Sequence, residues 1–408
     1  MTASESVWLT IVGIGADGLA SLTPAARDAI QRAELVAGSA RQLAAVRELV
    51  RGDVLEWPSP WAAGVAKLWA RRGRSTCLLA SGDPFWYGAG ASLAPELRAG
   101  EFVCHPAPSS LSLAAARLGW PLQDTEIVSL HGRDLASVIR YLQPGRRVLA
   151  LSWNRHTPAE LARLLCARGF RSSQLHVLER LGAADERVSS APAFELCERA
   201  PDFADLNLIA LECRADPGAR VIPLRGSLPD AWFEHDGQLT KQDVRAITLS
   251  ALAPRSGALL WDVGAGSGSI GIEWLLAHAA CRAIAIEREP ERCERIRRNA
   301  AALGTPGLHV LQAAAPEGLA DLPAPDAVFI GGGASDAGVF ERCWSALGSG
   351  GRLVINGVSL ETEAQLIAWH ARFGGELRRI GIESAGPLGS LRGFRPAMAV
   401  TQWRVDKP

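Results

Sequence analysis

The stretch WDVGAGSGS, residues 261–269, decides the fold of the second half of the chain. An apolar run, Leu259–Val263, leads directly into Gly264, Gly266 and Gly268, and a helical pattern follows. Glycines at these positions let backbone N–H groups approach a ligand where a Cβ would clash. The N-terminus of the following helix adds positive potential that suits a carboxylate. The stretch therefore predicts a cofactor site on a doubly wound sheet.

The spacing of the glycines distinguishes between two cofactors. A dinucleotide loop needs G-x-G-x-x-G, but position 269 is Ser, and G-x-G-x-G after Asp262 fits S-adenosylmethionine. The next predicted strand, Arg282–Glu287, ends about 20 residues beyond the loop in an acid that can bind ribose hydroxyls. Gly331, Gly332 and Gly333 follow the fourth strand and leave room for a bulky substrate.

Apolar runs alternate with helical patterns along the first half of the chain, which predicts an α/β domain with a mostly parallel, covered sheet. The predicted strands are Trp8–Ile14, Thr76–Ala80, Glu101–His105, Arg147–Trp153, Leu175–Leu181 and Leu206–Glu212. The helices predicted between them are Pro24–Ala33, Ala91–Arg98, Ser110–Leu118 and Pro158–Arg168. A new helix, Lys241–Ala253, opens the second half, and further strands follow it in doubly wound order.

Three loops of small residues follow strands in the first half, and they predict a second ligand site. They contain Gly13 and Gly15, then Ser81-Gly82-Asp83-Pro84, then Pro108-Ser109-Ser110. Loops at the carboxyl ends of neighbouring strands line one crevice in open α/β sheets. The first loop also matches G-x-G-x-x-G, but the next strand ends in Gly38-Ser39 without a ribose-binding acid. A dinucleotide site is therefore not expected there.

The bulk composition excludes several function classes. The 43 basic and 43 acidic residues balance, which argues against a protein that coats nucleic acid. No apolar run approaches the roughly 18 residues of a membrane span, and the segment 1–7 lacks the features of a signal peptide. The eight cysteines include no CxxC pair and no zinc spacing. We expect a cytoplasmic protein with reduced thiols and no structural metal.

A change of composition marks the boundary between the two halves. The segment 214–229 carries three prolines, two glycines and little apolar periodicity, as a linker does. We therefore predict a domain over residues 1–213, a linker over 214–229 and a second domain over 230–408.

The motifs resemble those of one enzyme family over essentially the whole chain. The string from His235 to Gly268 resembles the C-terminal half of the decarboxylating precorrin-6Y C5,15-methyltransferases. The three N-terminal loops, with the helix that runs on to Trp120, resemble the tetrapyrrole methylases and, more closely, the N-terminal half of the same family. This resemblance implies a tetrapyrrole methylase fold of two α/β subdomains, followed by a Rossmann-like methyltransferase domain.

The resemblance also implies the reaction and its cofactor. The first domain would methylate C5 of precorrin-6B (precorrin-6Y), and the second would methylate C15 and decarboxylate the C12 acetate, giving precorrin-8 in cobalamin biosynthesis. Each domain would bind one S-adenosylmethionine, two per chain, and the enzyme would form a homo-oligomer. The expected cofactor-binding residues are Gly13, Gly15, Gly82, Asp83, Pro84, Ser109, Ser110, Thr240, Gly264, Ala265, Gly266, Ser267, Gly268, Glu287 and Ala315.

A dense group of polar residues precedes the second glycine loop. His235, Asp236 and Lys241 crowd beside Thr240, which can cap the following helix, and they are candidates for orienting or protonating the substrate. Arg245 is a candidate ligand of a substrate carboxylate. The loop of Gly331 to Gly333 is the expected substrate-binding segment.

Three alternatives stay open at this point. The substrate could be the cobalt-containing equivalent of the precorrin. An RNA or DNA methyltransferase is a second possibility, although the neutral charge and the loop of Gly331 to Gly333 argue against it. The third is a regulatory protein in which one domain has lost activity, and the two intact sets of loops argue against that.

Overall fold

The computed structural model describes residues 7–199 and 201–408. The chain forms two compact units: residues up to Arg133 with Gln143–Arg220, and Asp134–Leu142 with Val221–Pro408. The predicted absence of a signal peptide concerns residues that, apart from Val7, lie outside the described part.

The predicted linker is divided between the two units. Near its start, Arg214 N donates a hydrogen bond to Ser173 Oγ (2.9 Å) in the first unit. Near its end, Leu228 N donates to Glu273 Oε1 (2.9 Å) in the second. Both ends of the segment are therefore part of the folded units.

The first sheet of the first unit is parallel throughout, in the order β3-β2-β4-β1-β5. Its inner strands are short apolar runs, and Leu9, Ile11 and Val12 are fully buried. Ser39 and Gln42 form a capping box that fixes the start of the second helix. The elements are β1 (Leu9–Ile14), α1 (Pro24–Arg32), β2 (Leu35–Gly38), α2 (Ala40–Ala45), β3 (Asp53–Glu56), α3 (Trp61–Trp69), β4 (Thr76–Ser81), α4 (Ala89–Leu93) and β5 (Phe102–His105).

A second sheet completes the first unit in the order β6-β7-β10-β8-β9. Only its β6–β7 pair is parallel. The mostly parallel pairing predicted from the alternation of strands and helices is wrong for this second sheet, whereas the two α/β subdomains are confirmed. The β8–β9 pair is antiparallel because the short connection between Glu179 and Arg187 cannot carry a crossover helix. The elements are α5 (Ser110–Leu118), β6 (Thr125–Ser129), β7 (Arg147–Leu151), α6 (Thr157–Ala167), β8 (Gln174–Glu179), β9 (Arg187–Pro192), α7 (Ala193–Arg199) and β10 (Asn207–Glu212).

The second unit is a doubly wound sheet in the order β13-β12-β11-β14-β15-β19-β16, as predicted for this half. The strands predicted at Leu259–Val263 and Arg282–Glu287 have those bounds. The elements are α8 (Gln242–Leu252), β11 (Leu259–Val263), α9 (Ser269–Ala277), β12 (Arg282–Glu287), α10 (Pro290–Ala302), β13 (His309–Gln312), β14 (Ala327–Ile330), α11 (Val339–Ala346), β15 (Arg352–Gly357), α12 (Leu360–Phe373), β16 (Glu376–Ile380), β17 (Glu383–Leu388), β18 (Leu391–Pro396) and β19 (Val400–Asp406).

Two local predictions about helix starts have different outcomes. Ser109 caps α5, because its side chain accepts a hydrogen bond from Ser112 N. Thr240 does not cap α8: the cap position is Lys241, and it makes no side-chain capping bond. In the part of the chain that the structure describes, none of the helices has the length and apolar character needed to cross a membrane.

Candidate active sites

The three predicted loops of the first unit meet at the carboxyl ends of β1, β4 and β5. Gly82 N donates to Ile14 O (3.0 Å), and Ala107 N donates to Gly82 O (3.3 Å). A Cβ on Gly13 would lie 2.1 Å from Gly82 O and 2.6 Å from Ala107 N. Only glycine therefore permits this approach, since a side chain would overlap backbone atoms that cannot move aside.

The loop after β1 is held by its own hydrogen bonds. Gly15 N donates to Ser21 Oγ (3.0 Å), and Ser21 Oγ donates to Gly18 O (2.8 Å). A Cβ on Gly15 would meet Asp17 Oδ1 at 2.4 Å. Gly15 is thus required for the local shape of the loop.

A cavity of about 560 Å³ opens beside these loops. It contains most of the residues predicted to bind a cofactor in this half, namely Gly15, Gly82, Asp83, Ser109 and Ser110. Two others lie beside it: Gly13 packs beneath Gly82, and Pro84 follows Asp83 in the chain. The second sheet supplies further lining residues, Ser129, Leu151, Ser152, Leu178, Asn207 and Leu208.

The charged lining of this cavity is predominantly cationic. Arg41, Arg133 and Arg180 line it, against the single carboxylate of Asp83. Asp83 Oδ1 accepts a hydrogen bond from Phe85 N (2.8 Å), which ties that carboxylate to its own loop. The cavity therefore suits a ligand with several carboxylates.

Exposed aromatic rings stand next to these cations. Trp86 and Tyr87 line the cavity with 47% and 52% of their surface exposed. The guanidinium of Arg133 lies 5.8 Å from the centre of the Tyr87 ring, within the range of a cation–π contact. Sequence reasoning missed these rings and the three arginines. One signal was available, since an aromatic triplet directly follows Pro84.

In the second unit, all three glycines of the glycine loop have the left-handed backbone conformation that favours glycine. Gly264, Gly266 and Gly268 have φ values of +69°, +59° and +76°. A Cβ on Gly264 would lie 2.7 Å from Gly332 O, and one on Gly268 would lie 2.7 Å from Ile296 Cγ2. The loop after β14 therefore packs directly against the loop after β11.

Two buried carboxylates lie behind this loop. Glu287 is 5% exposed; its Oε2 accepts from Gly266 N (2.9 Å), and its Oε1 accepts from Glu289 N (3.1 Å). Asp262 is 1% exposed, and its Oδ2 accepts from Gly271 N (2.9 Å). Burial raises the pKa of Asp262 to about 7, and the nearby charge of Glu287 adds to the rise.

The segment 233–241 lies against the glycine loop. Ser267 Oγ donates to Gln238 O (2.9 Å). Asn299 Nδ2 donates to both Ser267 O (3.0 Å) and Glu234 O (2.9 Å). One buried amide on α10 therefore joins the two segments and fixes their separation.

The three candidate catalytic residues of this segment are exposed and have different surroundings. His235 Nδ1 accepts from Gly237 N (3.1 Å), and Lys241 stands at the start of α8. Asp236 Oδ2 lies 2.9 Å from both Arg292 and Arg295. Its hydrogen bond with Arg295 is the main reason that the pKa of Asp236 lies well below its usual range. These two guanidinium groups favour the ionised form of Asp236, which argues against it as a proton donor and leaves the orienting role of the prediction untested.

The prediction that Arg245 binds a substrate carboxylate is wrong. Its side chain is fully buried, and each nitrogen already donates within the protein. Nε donates to Glu273 Oε1 (2.6 Å) and Nη1 to Thr240 O (2.5 Å), while Nη2 donates to Leu228 O. Arg245 therefore holds the segment before α8 in place, and its guanidinium is not exposed to a ligand.

The remaining predicted residues are distributed around the loop. Thr240 contributes its backbone carbonyl to Arg245, and Gly331 to Gly333 form an exposed turn. Ala315 packs partly buried against the core of the sheet. The described residues contain no cluster of His, Cys, Asp or Glu that could hold a metal ion.

Comparison with known proteins places both halves in methyltransferase families. The tetrapyrrole (corrin/porphyrin) methylase family matches residues 8–197, and the precorrin methyltransferase domain family matches residues 231–407.

Two relatives match over nearly the whole chain. A precorrin-6Y C(5,15)-methyltransferase [decarboxylating] from Sinorhizobium sp is 53% identical over 407 residues, 99% of this chain and 98% of the relative. A protein of the same name from Mycobacterium tuberculosis is 40% identical over 400 residues, 98% of this chain and all of the relative. A solved structure, the C-terminal domain of precorrin-6Y C5,15-methyltransferase from Rhodobacter capsulatus, is 48% identical; it covers 46% of this chain and 100% of its own, with a TM-score of 0.43. The chain belongs to the family of decarboxylating precorrin-6Y C5,15-methyltransferases.

Proposed function

We propose that this enzyme methylates precorrin-6B (precorrin-6Y) at C5 and C15 and decarboxylates its C12 acetate, with S-adenosylmethionine as the methyl donor. The product would be precorrin-8, in cobalamin biosynthesis. The observation that carries the proposal is the presence of two separate glycine-lined sites on two different sheets of one chain. Two transfers at two sites require two cofactors per chain, one in each unit.

The second site has the residue types that an S-adenosylmethionine site needs. A Cβ on Gly264 or Gly266 would meet neighbouring backbone atoms, and α9 begins directly after the loop, so its N-terminus adds positive potential there. Glu287 lies at the end of the neighbouring strand, where an acid can accept hydrogen bonds from ribose hydroxyls. When bound, the cofactor supplies an electrophilic methyl group on a sulfonium.

The first site fits the same donor together with a large, acidic ring. Its small loops at the strand ends leave room for the cofactor. Arg41, Arg133 and Arg180 supply donors for the carboxylates of the substrate, and Trp86 and Tyr87 offer flat apolar surface for the macrocycle. We propose that these five residues orient the ring so that C5 faces the methyl group.

Positioning accounts for much of the catalysis in this proposal. A meso carbon of a reduced macrocycle is electron-rich, so the protein needs to hold it at near-attack distance, which can contribute roughly 7–11 kcal/mol. Exclusion of water from the site adds to this.

Decarboxylation places different demands on the second unit. The conjugated ring accepts the electrons that the departing carbon dioxide leaves behind, and the protein must hold the acetate and supply a proton to the ring. His235 and Lys241 are exposed beside the glycine loop and can carry protons. We propose them as the orienting and protonating groups, with Asp236 holding their segment against α10.

The state of the enzyme in the cell is also part of the proposal. By its resemblance to the family, the enzyme is expected to be a cytoplasmic homo-oligomer. Light scattering of the purified chain would give the oligomeric state, and fractionation of the source cells would give the compartment.

The decisive experiment is incubation of the purified chain with precorrin-6B and isotopically labelled S-adenosylmethionine, followed by mass spectrometry. We expect a gain of two labelled methyl groups and the loss of one carbon dioxide. A parallel reaction with the cobalt-containing ring tests the alternative substrate, and bulk tRNA tests the alternative methyltransferase class. Labelling of tRNA with no change in either ring would overturn the proposal.

A further inference from the structure

A pair of thiols lies outside both candidate sites, between α6 and α7 of the first unit. Cys197 Sγ lies 3.0 Å from Cys166 Sγ and donates its S–H to it. Both residues are partly accessible to solvent, and both are free thiols in the structure. We propose that Cys166 and Cys197 are a modification site that closes to a reversible disulfide when the enzyme meets a small disulfide oxidant such as oxidised glutathione.

The fold places the two sulfurs close to the distance of a disulfide bond. A disulfide has an S–S distance of about 2.05 Å, so the sulfurs need to move about 1 Å closer. The segments that carry them are tied by backbone hydrogen bonds, from Ala193 N to Ser173 O (2.9 Å) and from Phe194 N to Arg171 O (3.1 Å). Each cysteine lies near the C-terminal end of its helix, where a small adjustment of the backbone disturbs few helical hydrogen bonds.

The chemistry is an ordinary thiol–disulfide exchange. One cysteine attacks oxidised glutathione as its thiolate, forming a mixed disulfide and releasing one glutathione. The second cysteine then displaces the other glutathione, so two thiols lose two protons and two electrons, and the oxidant becomes two molecules of glutathione. Burial raises the pKa of the Cys166 thiol to about 12, and the contact with Cys197 adds to this. The reaction is therefore expected to become faster as the pH rises.

The bond would stabilise the first unit without entering its cavity. It would close a loop of about 30 residues, which limits the conformational freedom of the unfolded chain. Neither cysteine lines the cavity described above. The oxidised enzyme should therefore be harder to unfold and still transfer methyl groups.

The test uses the full chain treated with oxidised glutathione at about pH 8. We expect a loss of about 2 Da, a cross-linked peptide containing Cys166 and Cys197, a rise in Tm of roughly 5–10 °C and full reversal by a reducing agent. Cys166→Ser and Cys197→Ser should lose all of these effects. Cys104→Ser, which removes another partly exposed thiol, should behave like the wild type.

Several results would overturn the proposal. One is a stable glutathione adduct on Cys166 or Cys197 with no cross-link between them. Another is a disulfide that joins a different pair, or a cross-link at this pair with no change in Tm. The readouts do not depend on turnover, so they are independent of the proposed reaction.

Discussion

The two glycine-lined sites of this enzyme reach a similar result by different structural means. In the first unit, Gly13 and Gly82 let loops from separate strands come together, and arginines line the resulting cavity. In the second, a single loop of left-handed glycines lies over two buried carboxylates, Asp262 and Glu287. The comparison teaches that a glycine-lined site can be built by convergence of several loops or from one specialised loop. The two sites should therefore differ in their response to substitution and to pH.

The largest expected effect comes from breaking the buried ion pair that holds the segment before α8 in the second unit. Arg245→Met removes a fully buried cation and leaves Glu273 without its partner. We expect the free energy of unfolding of the second unit to fall by about 3–5 kcal/mol, measured by chemical denaturation. Adding Glu273→Gln to the same chain should restore part of the loss, because the carboxylate that then lacks a partner is the partly exposed Asp230 and no longer the buried Glu273. If Arg245→Met alone were as stable as the wild type, this ion pair would not stabilise the segment before α8.

The next effect concerns the buried acid of the second site. The pKa of Asp262 rises from its ordinary 3.8 to about 7 in the folded protein. Between these values the folded state holds a proton that the unfolded state has released, so the contribution of Asp262 to stability falls as the pH rises from about 4 to about 7.

Asp262→Asn should remove this pH dependence. As the pH rises from 4 to 8, the free energy of unfolding of Asp262→Asn should increase relative to that of the wild type by about 4 kcal/mol. Denaturation of both proteins across this range is the measurement. Parallel pH profiles for the two would mean that Asp262 ionises normally in the folded state.

The third prediction separates the two sites by their products. Gly13→Ala places a Cβ 2.1 Å from a backbone oxygen, and Gly264→Ala places one 2.7 Å from another. Each should slow one methyl transfer by about 100-fold, because displacements near 1 Å can cost this much. Mass spectrometry of the products should show loss of the C5 methyl in the first variant and of the C15 methyl in the second.

A matched control for this experiment is Gly307→Ala. A Cβ at Gly307 would have no atom within 4 Å, so both transfers should continue at the wild-type rate. If either glycine variant lost both methyl groups while its fold remained intact, the two sites would not act separately.

The smallest expected effect tests the role of the positive charges that line the first cavity. Arg133→Met removes one cation from the lining of the first cavity. Because Arg133 is exposed and screened by water, we expect only about a fivefold rise in KM for C5 methylation. C15 methylation should not change. Arg74→Met removes an exposed arginine outside the lining and should have no effect on either KM, so equal effects of both variants would contradict a specific role of Arg133.

Much of the second site could be predicted from local sequence because it is built from one loop. The strand Leu259–Val263, the glycines after it and Glu287 follow one another in the order of a doubly wound sheet, and the structure places them together. The first site was harder, because its loops are separated by many residues and its arginines come from three different segments. Only the packing of two sheets brings Arg41, Arg133 and Arg180 to one cavity.

The sequence by itself determined the α/β class of both halves, the position of both glycine loops and the resemblance to the family. These features depend on short-range patterns: apolar runs that must be buried, and glycines that stand where a Cβ would clash or where the backbone is left-handed. The tertiary structure alone decided that Arg245 is a buried support rather than a substrate ligand and that Asp236 is tied to Arg292 and Arg295. The role of a charged side chain depends on partners that are distant in sequence, and only folding determines which partners it meets.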